Sequence, residues 1–311
     1  MNLTSGASLR AIAAACGICA GQVVHAEGST SPDQGKLLLT GGVSQIEGAG
    51  GGGLVPWATI SGYGTRDSFG ANAHLTYVNT SDFRLYSYGV AVGVFDRVEL
   101  SLDRQDLTIT ADGTGLPLKD VKLGQDIFGV KVKLVGDIVY DQDSALPQIA
   151  VGAQFKRSRD IHGGVFGSGG KPSDLMPGVK DNSGTDLYVA VSKLFLAQSL
   201  FLNGTLRATK ANELGLLGFG GDKKHSYRPE FEGSVAYLLT RQLAIGGEYR
   251  TKPRNLTLDD ETGAWDLFVA WAPTKNVSVV GAYANLGKIL DGPAGYSKTQ
   301  QGPYVSVQVG F

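Results

Sequence analysis

Charged residues recur two positions apart in several short stretches of this chain. Residues with this spacing lie on the same face of a β-strand, so a sheet could carry them to one surface. Such a surface, turned towards water inside a barrel, would attract ions and orient polar solutes. The charged residues that we predict to line an interior of this kind are Glu99, Asp103, Lys131, Lys133, Lys156, Arg207, Glu230, Glu232, Glu248 and Arg250.

The two signs of charge are separated along the chain. The lysines cluster on two neighbouring predicted strands, and the acidic residues cluster on three others. Opposed acidic and basic walls would create a transverse field across an open lumen. Alternatively, the same charges pair with one another and fill the interior. The sequence leaves both arrangements open.

His74 is the only histidine that falls in a predicted strand, where it faces inwards with Asn72 and Thr76. A barrel enzyme would need a nucleophile or a second acid–base group near such a histidine. No second histidine and no serine at a suitable spacing accompanies it. The sequence therefore predicts no catalytic residue, and we expect a protein that is not an enzyme.

A run of glycines lies between Gly48 and Leu54. A phosphate-binding loop would end in Gly-Lys-Ser/Thr and lead into a helix. The residues that follow, Leu-Val-Pro-Trp at 54–57, supply neither feature. The run instead predicts a flexible loop between the first two strands, and this loop could fold into the lumen.

Strand-like segments with alternating apolar and polar residues follow one another through the chain. We find no amphipathic helix longer than two turns. The fourteen predicted strands are residues 36–46, 54–63, 69–78, 84–95, 97–109, 126–136, 146–157, 185–195, 199–209, 228–239, 241–251, 264–273, 276–286 and 302–311. Connections alternate between tight turns and long loops such as 110–125, 158–184, 210–227, 252–263 and 287–301. This asymmetry is typical of bacterial barrels with short periplasmic turns and long outer loops.

The last strand ends on an aromatic residue with no polar tail. An exposed apolar edge would invite pairing with other chains, whereas a closed barrel pairs its last strand with its first. Alternating strands that end in phenylalanine resemble the signal by which outer-membrane barrels are handed to their insertion machinery. The residues predicted to form this assembly signal are Val305, Val307, Val309 and Phe311.

The N-terminus predicts export. Residues 1–26 combine one charge, a short apolar core and small residues before Glu27, as in a secretory signal peptide. Residues 27–34 form a polar, flexible segment, and residues 35–311 form the barrel. Both cysteines, Cys16 and Cys19, lie in the leader, so the mature chain has no thiol.

Composition limits the class of membrane protein. Charged residues make up 18% of the 311 residues, glycine accounts for 45, and the net charge is −1. Nothing in this balance suggests a nucleic-acid partner. No later run of about 18 apolar residues could span a bilayer as a helix. A membrane-embedded chain of this kind must therefore be a closed sheet.

Several stretches together resemble one uncharacterised family. They are residues 35–43 (Gly-Lys-Leu-Leu-Leu-Thr-Gly-Gly-Val), 46–54, 96–100, 217–222, 248–256 and the terminal strand. The family is the proteobacterial outer-membrane group catalogued as domain of unknown function 3034, and the resemblance covers essentially all of the mature chain. It implies a Gram-negative outer-membrane barrel and brings no catalytic residue or substrate.

We therefore expect an all-β protein, a single antiparallel transmembrane β-barrel of about fourteen strands, with twelve or sixteen as alternatives. The leading function is a porin-like, passive or weakly selective channel for small solutes. One alternative is a non-conducting barrel that serves as an envelope scaffold or binds a ligand, and a second is a lipid-active barrel enzyme. The expected partners are outer-membrane lipid, lipopolysaccharide, the barrel-insertion machinery and small solutes. We expect no metal and no cofactor.

Overall fold

A computed structural model describes residues 36–41, 43–110, 120–138, 144–162, 178–258, 260–292 and 296–311. Residues 35–311 form one compact unit. The predicted signal peptide (1–26) and flexible segment (27–34) lie outside the described residues. None of the helical turns in the described residues is long or apolar enough to cross a membrane.

In the part of the chain that the structure describes, twelve antiparallel strands form a closed barrel. Each strand pairs with its neighbours in sequence, and the last strand closes on the first. The strands are β1 (Phe69–Asn79), β2 (Phe83–Val94), β3 (Val98–Ile109), β4 (Lys122–Val135), β5 (Gln148–His162), β6 (Ser183–Phe195), β7 (Leu200–Thr209), β8 (Arg228–Leu238), β9 (Leu243–Arg250), β10 (Ala264–Trp271), β11 (Val277–Gly292) and β12 (Tyr296–Gly310).

The outer surface of the barrel is apolar and the inner surface is largely polar. In β12, Val305 and Val307 are 45% and 46% exposed, whereas Ser306 and Gln308 are buried. Large apolar residues alternate in the same way on the other strands, with Leu102, Leu206 and other outward-facing residues more than half exposed. A band of this kind is stable against lipid rather than against water.

The prediction of fourteen strands is wrong by two, at the start of the chain. The segments predicted as strands at 36–46 and 54–63 lie inside the barrel, where the described residues form only isolated bridges. A strand of a membrane barrel alternates exposed and buried side chains because one face meets lipid. Residues 43–64 are buried at every position. Their apolar residues imitate a strand but belong to the interior.

Short turns gather at one end of the barrel, here called the short-turn end, and long connections gather at the other, the long-loop end. The short turns are 95–97, 196–199, 239–242 and 272–276. Three connections break the rule, because 136–147 is long at the short-turn end, whereas 80–82 and 293–295 are short at the long-loop end. The predicted loop 287–301 is largely strand, since β11 and β12 extend beyond the other strands.

Residues 43–64, hereafter the plug, enter the lumen from the short-turn end and return there to begin β1. The return is tight. Gly62 has φ +82°, and a Cβ on it would lie 2.3 Å from the backbone nitrogen of Ala71. Only glycine avoids both the strained backbone and this clash. The next residue, Tyr63, donates its backbone N–H to the carbonyl of Phe311 at 2.7 Å, which ties the plug to the barrel seam.

Residues 211–221, hereafter the cap, close the lumen from the long-loop end and are buried throughout. Glu213 and Leu214 have positive φ angles of 39° and 60°, a backbone conformation that costs about 1–3 kcal/mol per residue. Lys252 donates a hydrogen bond to the Glu213 carboxylate, and the Glu213 N–H donates to Glu261 at 2.6 Å. These contacts hold the cap in its strained conformation.

The lumen is therefore filled in three layers. In the short-turn layer, Leu39 and two apolar residues of the plug pack against apolar residues of the wall: Val43 and Trp57 with Leu194, Phe201, Ala236, Ala244, Phe268, Ala270 and Val280. In the long-loop layer, the apolar residues are Ile46, Val78, Phe83, Leu85, Leu107, Leu214, Leu216, Leu217, Leu286 and Ile289. A belt of buried charges lies between the two layers.

Candidate functional site

Glu47, near the tip of the plug, meets cations from three separate strands. Arg250 of β9 donates from Nη1 to Glu47 Oε2 at 2.7 Å. Lys156 of β5 donates to Oε1, and Nη2 of Arg207 on β7 is 3.6 Å from Oε2. All four side chains are at most 4% exposed. The wall thus grips the plug through one carboxylate.

Two wall carboxylates complete this group. Asp186 Oδ2 accepts from Lys156 Nζ at 2.6 Å and from Arg207 Nη1 at 3.3 Å. Glu232 accepts from Arg207 Nε and lies 3.2 Å from Arg250 Nε. The wall alone supplies three cations and two anions. We call the complete set the charge cluster: Glu47, Lys156, Asp186, Arg207, Glu232 and Arg250.

The charge cluster keeps Glu47 ionised. Burial alone would raise the pKa of the Glu47 carboxyl. The positive charges of Arg250, Lys156 and Arg207 overcome this effect and hold the pKa well below its usual range. The plug is therefore bound as an anion near neutral pH.

Glu99 of β3 and Lys131 of β4 form a second set of contacts between the wall and the plug. The Glu99 carboxylate accepts from the Gly50 N–H at 3.0 Å and from the Ser61 N–H at 2.8 Å. Lys131 Nζ donates to the carbonyls of Gly50 at 2.8 Å and Thr59 at 2.7 Å, and also to Glu99 at 3.1 Å. One buried ion pair thus holds both arms of the plug by their backbone.

The carboxylate of Glu248 on β9 forms a third contact between the wall and the plug. It accepts from the Leu54 N–H at 2.6 Å and from Ser234 Oγ at 2.7 Å. A Cβ on Gly52 would lie 1.8 Å from Glu248 Oε1, so the plug can approach only because this residue is glycine. Asp266 of β10 is directly opposite Glu248 in register. Within the described residues, neither oxygen of the Asp266 carboxylate has a hydrogen-bond partner.

The base of the plug is fixed at the short-turn end by Lys36. Its Nζ lies 2.7 Å from Asp96 Oδ1 and donates to the carbonyls of Ile60 at 2.8 Å and Gly62 at 3.1 Å. Burial lowers the pKa of Lys36, and the charge of Asp96 opposes this shift only in part. Lys133 donates to the same Asp96, so one carboxylate joins the barrel wall to the start of the plug.

The sequence model of the family described as "Protein of unknown function (DUF3034)" matches residues 40–308. The chain belongs to this family. The matched region includes the plug and the cap as well as the strands, so both lumen-filling segments are part of the family domain. A comparison with curated protein sequences finds no match.

Solved structures with similar folds are outer-membrane barrels. The NanC porin is 12% identical with a TM-score of 0.48, and the alignment covers 78% of this chain and 98% of that one. The KdgM porin is 8% identical with a TM-score of 0.45, and coverage is 78% and 99%. The COG4313 outer membrane channel from Pseudomonas putida F1 is 10% identical with a TM-score of 0.43, and coverage is 91% and 99%.

All ten charged residues predicted from the sequence lie on the lumen side of the wall. Nine are buried, and Glu230 is half-buried near the long-loop end of β8. Their role in lining an open pore stays a prediction. Opposite charges are paired in the described conformation rather than separated into two walls. The predicted lysines pair as Lys131 with Glu99, Lys133 with Asp96, and Lys156 with Asp186 and Glu47.

Sequence reasoning missed Glu47, Lys36 and Asp186. Glu47 is the one acidic residue beside the glycine run. Since that run was expected to be able to fold into the lumen, Glu47 could have been predicted to meet the charges of the wall. Asp186 shares the inward face of β6 with Tyr188, but a single carboxylate at a strand end carries no pattern. The partners of Lys36 are far away in sequence, and only the fold brings them together.

His74 lies in the lumen beneath the plug. Its Nε2 is 3.0 Å from Asp103 Oδ1 and 3.2 Å from Ser87 Oγ. A catalytic relay needs the acid on one ring nitrogen and the nucleophile on the other. Here one nitrogen faces both groups, and Ser87 Oγ donates to the carbonyl of Ile46 at 2.8 Å. The group supports the plug rather than forming a relay. No set of three or more His, Cys, Asp or Glu in the described chain is placed to hold a metal ion.

The predicted assembly residues form the lipid-facing side of the seam. Val305, Val307 and Val309 face outwards on β12, and the side chain of Phe311 is 65% exposed. The Phe311 carbonyl accepts from the Ala71 N–H at 3.0 Å as well as from the plug. Recognition of these residues by insertion machinery stays a prediction.

Proposed function

We propose that this protein is a gated channel for small polar solutes in the outer membrane, closed in the described conformation by its own plug. The observation that carries the proposal is the way in which the plug is held. Ion pairs and hydrogen bonds from the wall bind it, and within the described residues no strand pairing joins it to the wall. Such contacts can be exchanged for water or solute one by one.

The buried charge belt supports a channel over a purely structural barrel. Burying a charge is expensive even when it is paired, and well-packed apolar residues of similar volume are often as stable. A barrel that only needed a filled interior could continue its two apolar layers through the centre. Charged residues of both signs at mid-lumen are instead suited to a hydrated path once the plug withdraws.

A recording from purified protein in planar bilayers tests this proposal. The wild type should be mostly closed, because plug and cap both block the lumen. The variant for recording combines Glu47→Ala, which removes the plug's anion, with Lys252→Ala, which removes the partner of Glu213 in the cap. This double variant should conduct, whereas Lys275→Ala at an exposed turn should leave the protein closed.

A reversible lock shows whether any current passes through the lumen. Ala58 of the plug packs in one cluster with Ala150, Tyr188 and Ala190 of the wall. We would add Ala58→Cys and Ala190→Cys to the conducting variant, whose mature chain is otherwise expected to lack cysteine. Oxidation should abolish the current and reduction should restore it. Current that persists through the oxidised lock would refute gating by the plug.

The second candidate function is a non-conducting barrel that serves as an envelope scaffold. The observation in its favour is the cap, which closes the long-loop end in addition to the plug. Heat-modifiable migration would show whether the double variant folds. If it folds and still passes no current, the scaffold function is better supported than the gated channel.

A further inference from the structure

We propose that the wall pocket formed by Lys156, Arg207 and Arg250 is a binding site for a small solute bearing one carboxylate, and that Glu47 occupies it as a built-in substitute for that solute. This inference rests on the proposed function, because a solute can reach the pocket only if the plug can leave. It adds the chemical class of the solute.

The pocket has the geometry of a carboxylate site. The two oxygens of Glu47 are bound separately, Oε1 by Lys156 and Oε2 by Arg250 at 2.7 Å, with Arg207 at 3.6 Å. Guanidinium groups match the planar, two-oxygen shape of a carboxylate better than an ammonium group alone does. Gln45 Nε2 adds a hydrogen bond to Oε2 from the plug itself.

The pocket is built by the wall and does not depend on Glu47 for its shape. Its three cations stand on β5, β7 and β9, whose positions are fixed by closure of the barrel. Glu232 holds Arg207 and Arg250, and Asp186 holds Lys156 and Arg207. Groups that are already oriented lose little freedom when a ligand binds, so a small anion can bind usefully.

Charge balance gives the sign and size of the ligand charge. The wall part of the cluster contains three cations and two carboxylates, a net charge of +1, and Glu47 brings the total to zero. An uncompensated buried charge is costly. Withdrawal of the plug leaves the wall part of the cluster with one positive charge in excess, which one negative charge would neutralise. A single carboxylate on the solute supplies that charge, whereas a second would face Asp186 and Glu232.

Competition explains how such a solute would open the plug. Glu47 is tethered, so its effective concentration at the pocket is on the order of millimolar. A free carboxylate must reach a comparable concentration, or gain from further contacts, before it displaces Glu47. The same solute should bind more tightly when Glu47 is absent.

Chemical rescue by acetate tests the site. Glu47→Ala should unfold at a lower temperature than the wild type, and sodium acetate should raise its midpoint by on the order of 2 °C or more at saturation. Glu47→Gln fills the same space with an amide, so it should gain no such stabilisation. Acetamide and sodium chloride at equal concentration are the neutral and ionic-strength controls. In Glu47→Ala/Lys252→Ala, acetate should also reduce the single-channel current.

A second measurement uses the plug of the otherwise unaltered protein. Ala58 is fully buried, so a cysteine there in Ala58→Cys should react with a thiol reagent only when the plug withdraws. Acetate should increase the labelling rate, and acetamide should not. This result would support the site even if Glu47→Ala failed to fold.

The outcomes separate the two proposals. Stabilisation of Glu47→Ala by acetate but not by chloride supports the pocket, whether or not the double variant conducts. Equal stabilisation by chloride would overturn the carboxylate assignment. Conductance in the double variant, with no effect of acetate on midpoint, current or labelling, would overturn the site and leave the gated channel standing.

Discussion

Glu47 and Asp266 are both buried carboxylates, but their surroundings have opposite effects. Glu47 is surrounded by three cations and neutralises them. Asp266 faces another carboxylate, Glu248, and forms no ion pair among the described residues. A single carboxylate in this lumen can therefore either stabilise or destabilise the closed conformation. Substitutions at Glu47 and Asp266 should distinguish these two effects.

Glu47→Gln should lower the stability of the closed protein by about 3–5 kcal/mol, because it leaves buried cations without their anion. The effect should depend on pH. The folded pKa of Glu47 lies well below the ordinary value of 4.5, so its ion pairs contribute fully above that value. Their contribution is lost as the pH falls below 4.5 towards the lowered pKa. The free energy of unfolding of the wild type and of Glu47→Gln should be measured from pH 3 to 8. The difference between the two proteins should be constant above about pH 5 and should shrink in acid. A difference that grows in acid would contradict this assignment.

Asp266→Asn should stabilise the protein at pH 7–8 by on the order of 1 kcal/mol, because an amide removes the cost of burying a carboxyl that faces Glu248 and has no hydrogen-bond partner in the described residues. The matched control is Asp186→Asn, which should destabilise, since Asp186 accepts from Lys156 and Arg207. Urea unfolding in detergent measures both. Destabilisation by Asp266→Asn equal to that of the control would mean that Asp266 is held by a favourable contact.

At the scale of elements, the end of β12 has two roles, which depend on different atoms of the residue that follows it. The side chain of Phe311 points to the lipid side, whereas its carbonyl accepts from the N–H groups of Tyr63 and Ala71. The last residue therefore closes the barrel and also fixes the point where the plug joins β1. A substitution and a deletion separate these roles.

Phe311→Ala should impair delivery to the outer membrane without changing the stability of the refolded barrel, because the backbone contacts remain. Deletion of Phe311 should impair both, since the carbonyl is lost as well. Surface levels in cells report delivery, and heat-modifiable migration of refolded protein reports stability. Normal surface levels for both variants would remove the assembly role predicted for Val305, Val307, Val309 and Phe311.

At the scale of the whole molecule, plug and cap approach the charge belt from opposite ends. Lys156 joins them, because its Nζ donates to the Glu47 carboxylate and, at 3.2 Å, to the carbonyl of Leu214 in the cap. The gate of the proposed channel thus has two parts that share one cation. Which end faces the cell exterior follows from the lengths of the connections.

Epitope insertion tests this orientation. An epitope after Lys224, in an exposed connection of the long-loop end, should be labelled on intact cells. One after Arg241, in an exposed turn of the short-turn end, should be labelled only after permeabilisation. The reverse pattern would invert the topology and place the plug entrance outside the cell.

The sequence by itself determined the barrel, because a lipid-facing strand must alternate and a spanning sheet must close. Local periodicity was enough to locate the ten lumen-facing charges and the seam strand. It failed at residues 36–46 and 54–63, where apolar residues and glycines fit a strand although no lipid-facing side exists. Only the tertiary structure decided that these residues fill the lumen and that Glu47 pairs with Arg250 from 203 positions away. Pairing between charges so far apart is set by closure of the barrel, and no local pattern records it.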